Sequence, residues 1–251
     1  MKHQFSAYIS IMLLSIFLSS PFSSGDENNK TYPVSSQVGM YSYRNKQLTG
    51  YISKDSKGKI KKTIKIKRNN NGDIIEKTHY NSQGKIKLKY EYIFDDKNRL
   101  EKKIKKAADG TVSRISIFYY DDHNLTFKQT DTDAGGTITK THFYCYNRDG
   151  ERISKRSLNA KGNLTGTKIY IFDTNKKRIR DYSLTPDGDI SAVTKYIYNK
   201  EEKQEQTESY DKDFKIKGLT TVSRDTGGRP LIKKSFDADK NLKSLLYYTY
   251  E

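Results

Sequence analysis

The chain has 251 residues, a formal net charge of +17, 33% apolar residues, 12% aromatic residues, no Trp and a single Cys. The low apolar share and a mean hydropathy of −0.90 exclude one large hydrophobic core, while the aromatic share, with 20 Tyr, excludes a disordered chain. Cys145 stands alone, so no intrachain disulfide can form.

The N-terminus has the three-part pattern of a secretory leader. Lys2 and His3 precede an uncharged, mostly apolar run from Ala7 to Leu18, which is too short to span a bilayer as a helix. Small polar residues follow, with Ser23 and Gly25 placed for cleavage, and no Cys is available there for acylation. The expected division is a helical signal peptide over 1–25, a polar linker over 26–40 and a repeat domain over 41–251. No other segment is apolar enough for a membrane helix. Losing Lys2 with the leader removes one unit of the positive charge.

Beyond the linker the sequence repeats. Gly58, Gly84, Gly110, Gly136, Gly162 and Gly188 stand 26 residues apart. Two residues after each comes an aliphatic: Ile60, Ile86, Val112, Ile138, Leu164 and Ile190, and the column continues at Ile216 and Leu242. Between them Asn69, Asp95, Asp121, Asn147, Asp173, Asn199 and Asp225 keep the same step, and three residues later stand Gly72, Asn98, Asn124, Gly150, Lys176, Glu202 and Gly228. Asp or Asn opening a turn bonds the backbone ahead of it, and Gly or Asn at the fourth position accepts the left-handed conformation that closes a bulged hairpin. Each period thus holds two turns and two strands.

Fifteen such turn signals, from Asp55 to Asp237, imply about sixteen strands. Between them residues alternate with the strand period of two: Leu88, Tyr90, Tyr92 and Phe94 share one face, and Lys87, Lys89, Glu91 and Ile93 the other. Two aromatic columns recur, one through Tyr92, Phe118, Tyr144, Tyr170 and Tyr196, the other through Phe94, Tyr120, Tyr146, Phe172 and Tyr198. Val222, Arg224 and Phe214 break the columns near the C-terminus and read as a degraded terminal cap. The expected fold is all-β: an antiparallel hairpin-repeat array forming an extended, coiled meander sheet, on the order of 70 Å long if flat.

The spellings Phe94-Asp-Asp-Lys-Asn-Arg-Leu100, Tyr120-Asp-Asp and Tyr146-Asn-Arg-Asp-Gly150 resemble the YD repeats of bacterial Rhs-type proteins, and more loosely MORN-like hairpin repeats. The resemblance covers about 41–251 and implies an exported β-repeat protein. In Rhs proteins such repeats form a shell around a toxin, but this chain has far fewer repeats and no added C-terminal domain to enclose.

Catalytic constellations are scarce, and the expectation is a non-enzyme without cofactor or metal. His142 and Cys145 are three apart on one strand, on opposite faces. Asp131-Thr-Asp133-Ala-Gly-Gly136 opens like a calcium loop, but its twelfth position is His142, and turn chemistry accounts for the spelling. The remaining handle is charge beside aromatics. Tyr92, Phe118, Tyr144, Tyr170 and Tyr196 with Lys85, Lys87 and Lys89 form the candidate binding face. The expected role is an exported binding or scaffold module in the periplasm, at the cell surface or secreted. Its partner would be a protein or an anionic glycan or envelope polymer, and the alternative is a basic polyanion-binding adhesin. Export disfavours nucleic acid as a partner.

Overall fold

The computed structural model describes residues 47–201 and 203–250, so the leader and linker readings lie outside the described residues. Sixteen strands follow one another: β1 (Leu48–Asp55), β2 (Ile60–Arg68), β3 (Ile74–Tyr80), β4 (Ile86–Phe94), β5 (Leu100–Ala107), β6 (Val112–Tyr120), β7 (Thr126–Thr132), β8 (Ile138–Tyr146), β9 (Arg152–Asn159), β10 (Leu164–Phe172), β11 (Arg178–Leu184), β12 (Ile190–Tyr198), β13 (Gln204–Asp211), β14 (Ile216–Arg224), β15 (Pro230–Asp237) and β16 (Leu242–Tyr250). Each pairs antiparallel with the next.

The turns follow one scheme. In the first, Gly58 N–H donates to Asp55 O (3.1 Å) and Asp55 N–H to Lys59 O (3.0 Å), while Asp55 Oδ1 accepts from the N–H groups of Lys57 and Lys59 (3.0 and 2.9 Å). The fourth residue takes a left-handed φ, from 77° at Gly84 to 93° at Gly188. Asn98, Asn124, Lys176, Phe214 and Lys240 adopt it without being glycine, with φ of 57–63°. Where Ala107 replaces the opening Asx residue, Asp109 takes over and accepts from Thr111 N–H (2.9 Å).

The extended array expected from the sequence is overturned by closure. β1 pairs with β16 from Leu48↔Tyr250 to Asp55↔Ser244, and the sheet is a closed sixteen-stranded barrel. Registers explain why. Gly50 faces Lys65, Lys65 faces Thr78, Thr78 faces Lys89 and Lys89 faces Lys106. Thr78 lies 28 residues beyond Gly50, and Lys106 the same distance beyond Thr78, against a sequence period of 26. Each repeat therefore slips the ladder by two residues. Summed round the circuit this gives a shear of about 16, enough to tilt sixteen strands by roughly 35° and close them. Bulges such as that between Ile93 and Phe94 strengthen the twist. At strand spacings of about 4.8 Å, the enclosed space is on the order of 30 Å between backbones and about 20 Å tall.

Closure also changes the reading of the broken columns: with both terminal strands paired, the C-terminal repeat is not a cap. Tyr120, Tyr146, Tyr198 and Tyr250 each donate their hydroxyl to the carbonyl twenty residues back, on Leu100, Thr126, Arg178 and Pro230 (2.7–2.8 Å). Arg68 occupies the same column and its Nη2 donates to Leu48 O, again twenty residues back, at 3.3 Å. An arginine thus keeps the interlock where the tyrosine is missing.

Candidate binding surface on the inner wall

The two faces of the sheet differ in kind. Following the ladders from Tyr92, one face carries Tyr90, Lys103, Ser116, Phe118, Gln129, Asp131, His142, Tyr144, Lys155, Tyr170, Asp181 and Tyr196. Tyr92, Tyr144 and Tyr170 are only 8–9% exposed, and Asp131, His142 and Asp181 only 5–6%. The charge environment of Lys77 on β3 includes Lys103 on β5, and that of Tyr92 on β4 includes Tyr51 on β1, as a concave surface requires. This face is the inner wall. The exposed apolar side chains Ile60, Ile86, Ile93, Tyr119, Ile138 and Phe143 belong to the opposite, outer face.

The inner wall alternates rings and cations because the even strands bring the aromatic column and the odd strands bring the column Lys77, Lys103, Gln129, Lys155, Asp181. Lys77 Nζ lies 5.7 Å from the Tyr92 ring centre, and Lys103 Nζ lies 4.5 Å from Tyr90 and 5.8 Å from Tyr92. Arg152 and Arg178 stack at 4.3 Å over Tyr144 and Tyr170. Such contacts favour a desolvated cation by up to about 2 kcal/mol.

Cations outnumber carboxylates here. Among the described residues, the inward carboxylates between the turns are Asp131 and Asp181. Asp181 is held by Arg178 and by the Tyr196 hydroxyl (2.8 Å). Asp131 accepts from Gln129 Nε2 (2.7 Å), and Gln129 Oε1 accepts from the Tyr144 hydroxyl (2.7 Å). Burial lowers the Lys77, Lys103 and Lys155 ammonium pKa values; Lys103 and Arg68 lower Lys77 further and Arg152 lowers Lys155, while at Lys103 the Asp131 carboxylate opposes the lowering and Arg114 adds to it. His142 is pushed down to about 4 by burial and then by Lys155, and its Nδ1 shares a 2.9 Å hydrogen bond with Ser157 Oγ. Burial raises Tyr92 and Tyr144 to about 12.

The wall is also lopsided. At one level the repeats place Lys62, Leu88, Arg114 and Lys140 on one half of the circuit and Gly166, Ala192, Gly218 and Ser244 on the other. Bulk and positive charge concentrate on the first half.

The structure brings together Tyr92, Phe118, Tyr144, Tyr170 and Tyr196 on the inner wall but separates them from the lysines of the expected face. Lys85 lies in the turn, its N–H bonded to Asn81 Oδ1 (3.0 Å). Lys87 is the exposed bulge residue between Ile86 and Leu88. Lys89 points outward and pairs with Glu76 at 3.2 Å. A lysine on the same strand as a tyrosine shares its face only at even offsets, and bulges break even that. The cations that do meet the rings sit on adjacent strands, and their signal was the second column stepping by 26. Gly58, Gly84, Gly110, Gly136, Gly162 and Gly188 lie at turn closures, all with left-handed φ. Cys145 is exposed on the outer face. Asp133 caps its turn by accepting from Thr137 N–H (2.9 Å), and Asp131 turns inward, so the two do not share a loop site.

Fold and site together define a closed antiparallel barrel with a cationic, tyrosine-rich inner wall. No protein-family model matches the chain, so the expected YD-repeat or MORN-like membership finds no support there, and no curated protein matches either. Among solved structures it is similar to a porin-like protein from Bacteroides uniformis (TM-score 0.55, 10% identity, 81% of this chain and 98% of that one). It is also similar to a porin-like protein from Bacteroides vulgatus (TM-score 0.54, 9% identity, 81% and 98%). Both likenesses concern the fold.

Proposed function

We propose that this chain is an exported, non-catalytic binding barrel whose inner wall takes an anionic ligand, in the first place an acidic glycan or envelope polymer. The observation that carries this is the set Lys77, Lys103 and Lys155, half-enclosed, each crowded by at least one further cation and set against the Tyr90, Tyr92 and Tyr144 rings. An anion in the barrel relieves that repulsion, and flat rings beside it offer faces on which a sugar can stack. The His142–Ser157 pair supports the non-catalytic part: a pKa near 4 leaves the imidazole a weak base at neutral pH. The leader pattern at 1–25 supports export.

The test uses a heparin-derived oligosaccharide as probe and tyrosine emission as readout, which the lack of Trp leaves unobscured. The inner triple variant Lys77→Gln/Lys103→Gln/Lys155→Gln and the outer triple variant Lys89→Gln/Lys102→Gln/Lys128→Gln remove the same charge. The expected result is binding that weakens steeply with salt, a loss of at least tenfold for the inner variant and less than threefold for the outer one. Equal losses, or no binding at low salt, would overturn the proposal.

A second reading, a pore for anions, is favoured by the closed wall and by the likeness to porin-like barrels.

A further inference from the structure

From the distribution of charge on the outer wall we infer that the barrel stands in water and does not span a lipid bilayer, so the enclosed space is a binding chamber rather than a membrane conduit. A membrane-spanning barrel presents an outward apolar band about 25 Å tall, with aromatic girdles above and below it. Here no such continuous band forms. Exposed outward apolar residues gather toward the two rims: Ile60, Ile86, Ile138 and Ile216 at the strand starts of one end, and Ile93, Tyr119, Phe127 and Ile179 near the other. The middle of the wall also carries apolar residues, such as Ile104, Ile115, Phe143 and Val193, but charged side chains interrupt them all round the circuit.

That middle band is built as well as charged. Lys89 pairs with Glu76 at 3.2 Å and Lys106 with Glu91 at 2.7 Å, running diagonally over β3, β4 and β5. Glu76 also accepts from the Thr78 hydroxyl (2.7 Å). On the far side of the circuit Glu208 receives Gln206 Nε2 (2.8 Å) and the Tyr210 hydroxyl (2.5 Å), with Lys195 at 3.8 Å. Lys65, Lys102, Lys128, Arg156, Arg180 and Lys234 occupy the same outward face. Each Lys or Arg carried to a bilayer midplane on the lipid side is disfavoured by roughly 30-fold to 900-fold in the folding equilibrium, and here they recur around the circuit. The strands add a second argument. None exceeds nine residues, the lower limit for a tilted strand to cross the hydrocarbon, and β3, β7 and β11 have seven. The described turns at both ends are of one short size, without a longer set on one side.

The decisive experiment places a thiol in the middle band of the full-length chain, exported from a bacterial host: Lys102→Cys in a Cys145→Ser background. Gln83→Cys in the same background marks an exposed turn. Both are labelled with a charged, membrane-impermeant maleimide in the membrane or soluble fraction, wherever the protein resides, with and without detergent. The expected labelling rates agree within about threefold, and detergent leaves them unchanged. An apolar leader that tethers the chain does not alter that outcome, because the label reads the wall and not the anchor. Protection of the Lys102→Cys thiol by more than 100-fold, released by detergent, would overturn the inference and restore the pore reading. The oligosaccharide binding above is measured separately, so either proposal can fail alone.

Discussion

Closure of the barrel can be tested by a cross-link that no open sheet permits. Ser53 on β1 lies directly opposite Leu246 on β16. In an extended array those strands would stand fifteen places apart, about 70 Å at the usual spacing, whereas a disulfide needs Cα atoms within about 7 Å. The variant Ser53→Cys/Leu246→Cys, in the Cys145→Ser background, should therefore oxidise readily and migrate faster on non-reducing gels. Ser53→Cys/Ser183→Cys, which joins β1 to the distant β11, should not. The bond closes a loop of nearly 200 residues, for which the loop-entropy relation gives an upper value of about 5 kcal/mol of stabilisation at 25 °C. For a chain of this size that corresponds to roughly 10–20 °C in melting temperature between oxidised and reduced protein. Failure to cross-link under oxidising conditions, or cross-linking that leaves the melting temperature lower than in the reduced form, would refute the closed register.

His142 makes the barrel acid-sensitive with a definite sign. Its folded pKa of about 4 lies below the unfolded 6.5, so its contribution is complete above pH 6.5 and is lost as pH falls through 4. Urea melts from pH 7 to 4 should show about 2–3 kcal/mol more loss in the parent than in His142→Gln, and parallel curves would contradict the assignment. At the other extreme, Tyr92 and Tyr144, raised to about 12, contribute stability that is full below pH 10 and disappears as pH rises through 12. Phenolate absorbance should show a late-ionising fraction that moves to ordinary pH in urea. Gly84→Ala isolates the turn backbone: the added Cβ meets nothing within 4 Å, yet φ is +77°, so unfolding should be easier by about 1 kcal/mol. Phe214→Gly, at φ 59° and 57% exposed, should change stability in the opposite direction by about 0.5 kcal/mol.

Much of the local structure is written in the sequence. The step from Asn81 to Gly84, or from Asp225 to Gly228, determines where a hairpin turns, because only a few residue types bond their own backbone and accept a left-handed φ. Sixteen strands follow from counting those steps. What the spacing does not display is that Tyr51 finds Tyr248, whose ring centres lie 6.3 Å apart across the seam. Closure depends on a two-residue slip per repeat, a relation between strands that no single strand encodes. The cations of the site are hidden for a related reason. Alternation already sets Lys89 on the face opposite Tyr90, and what no single strand displays is that Lys103 reaches Tyr90 and Tyr92 from the next one. Arg68 was equally hidden, because its hydrogen bond to Leu48 O copies a tyrosine's role with different chemistry.

The two-residue slip has a consequence for how such a chain can change size. Each repeat supplies two strands and two residues of stagger, so gaining or losing one alters girth and stagger in the same proportion. Strand tilt, set by their ratio, stays constant, and every hairpin keeps its geometry. The calibre of the chamber is thus counted out in whole repeats, and duplication of one 26-residue unit widens it without redesigning a single turn.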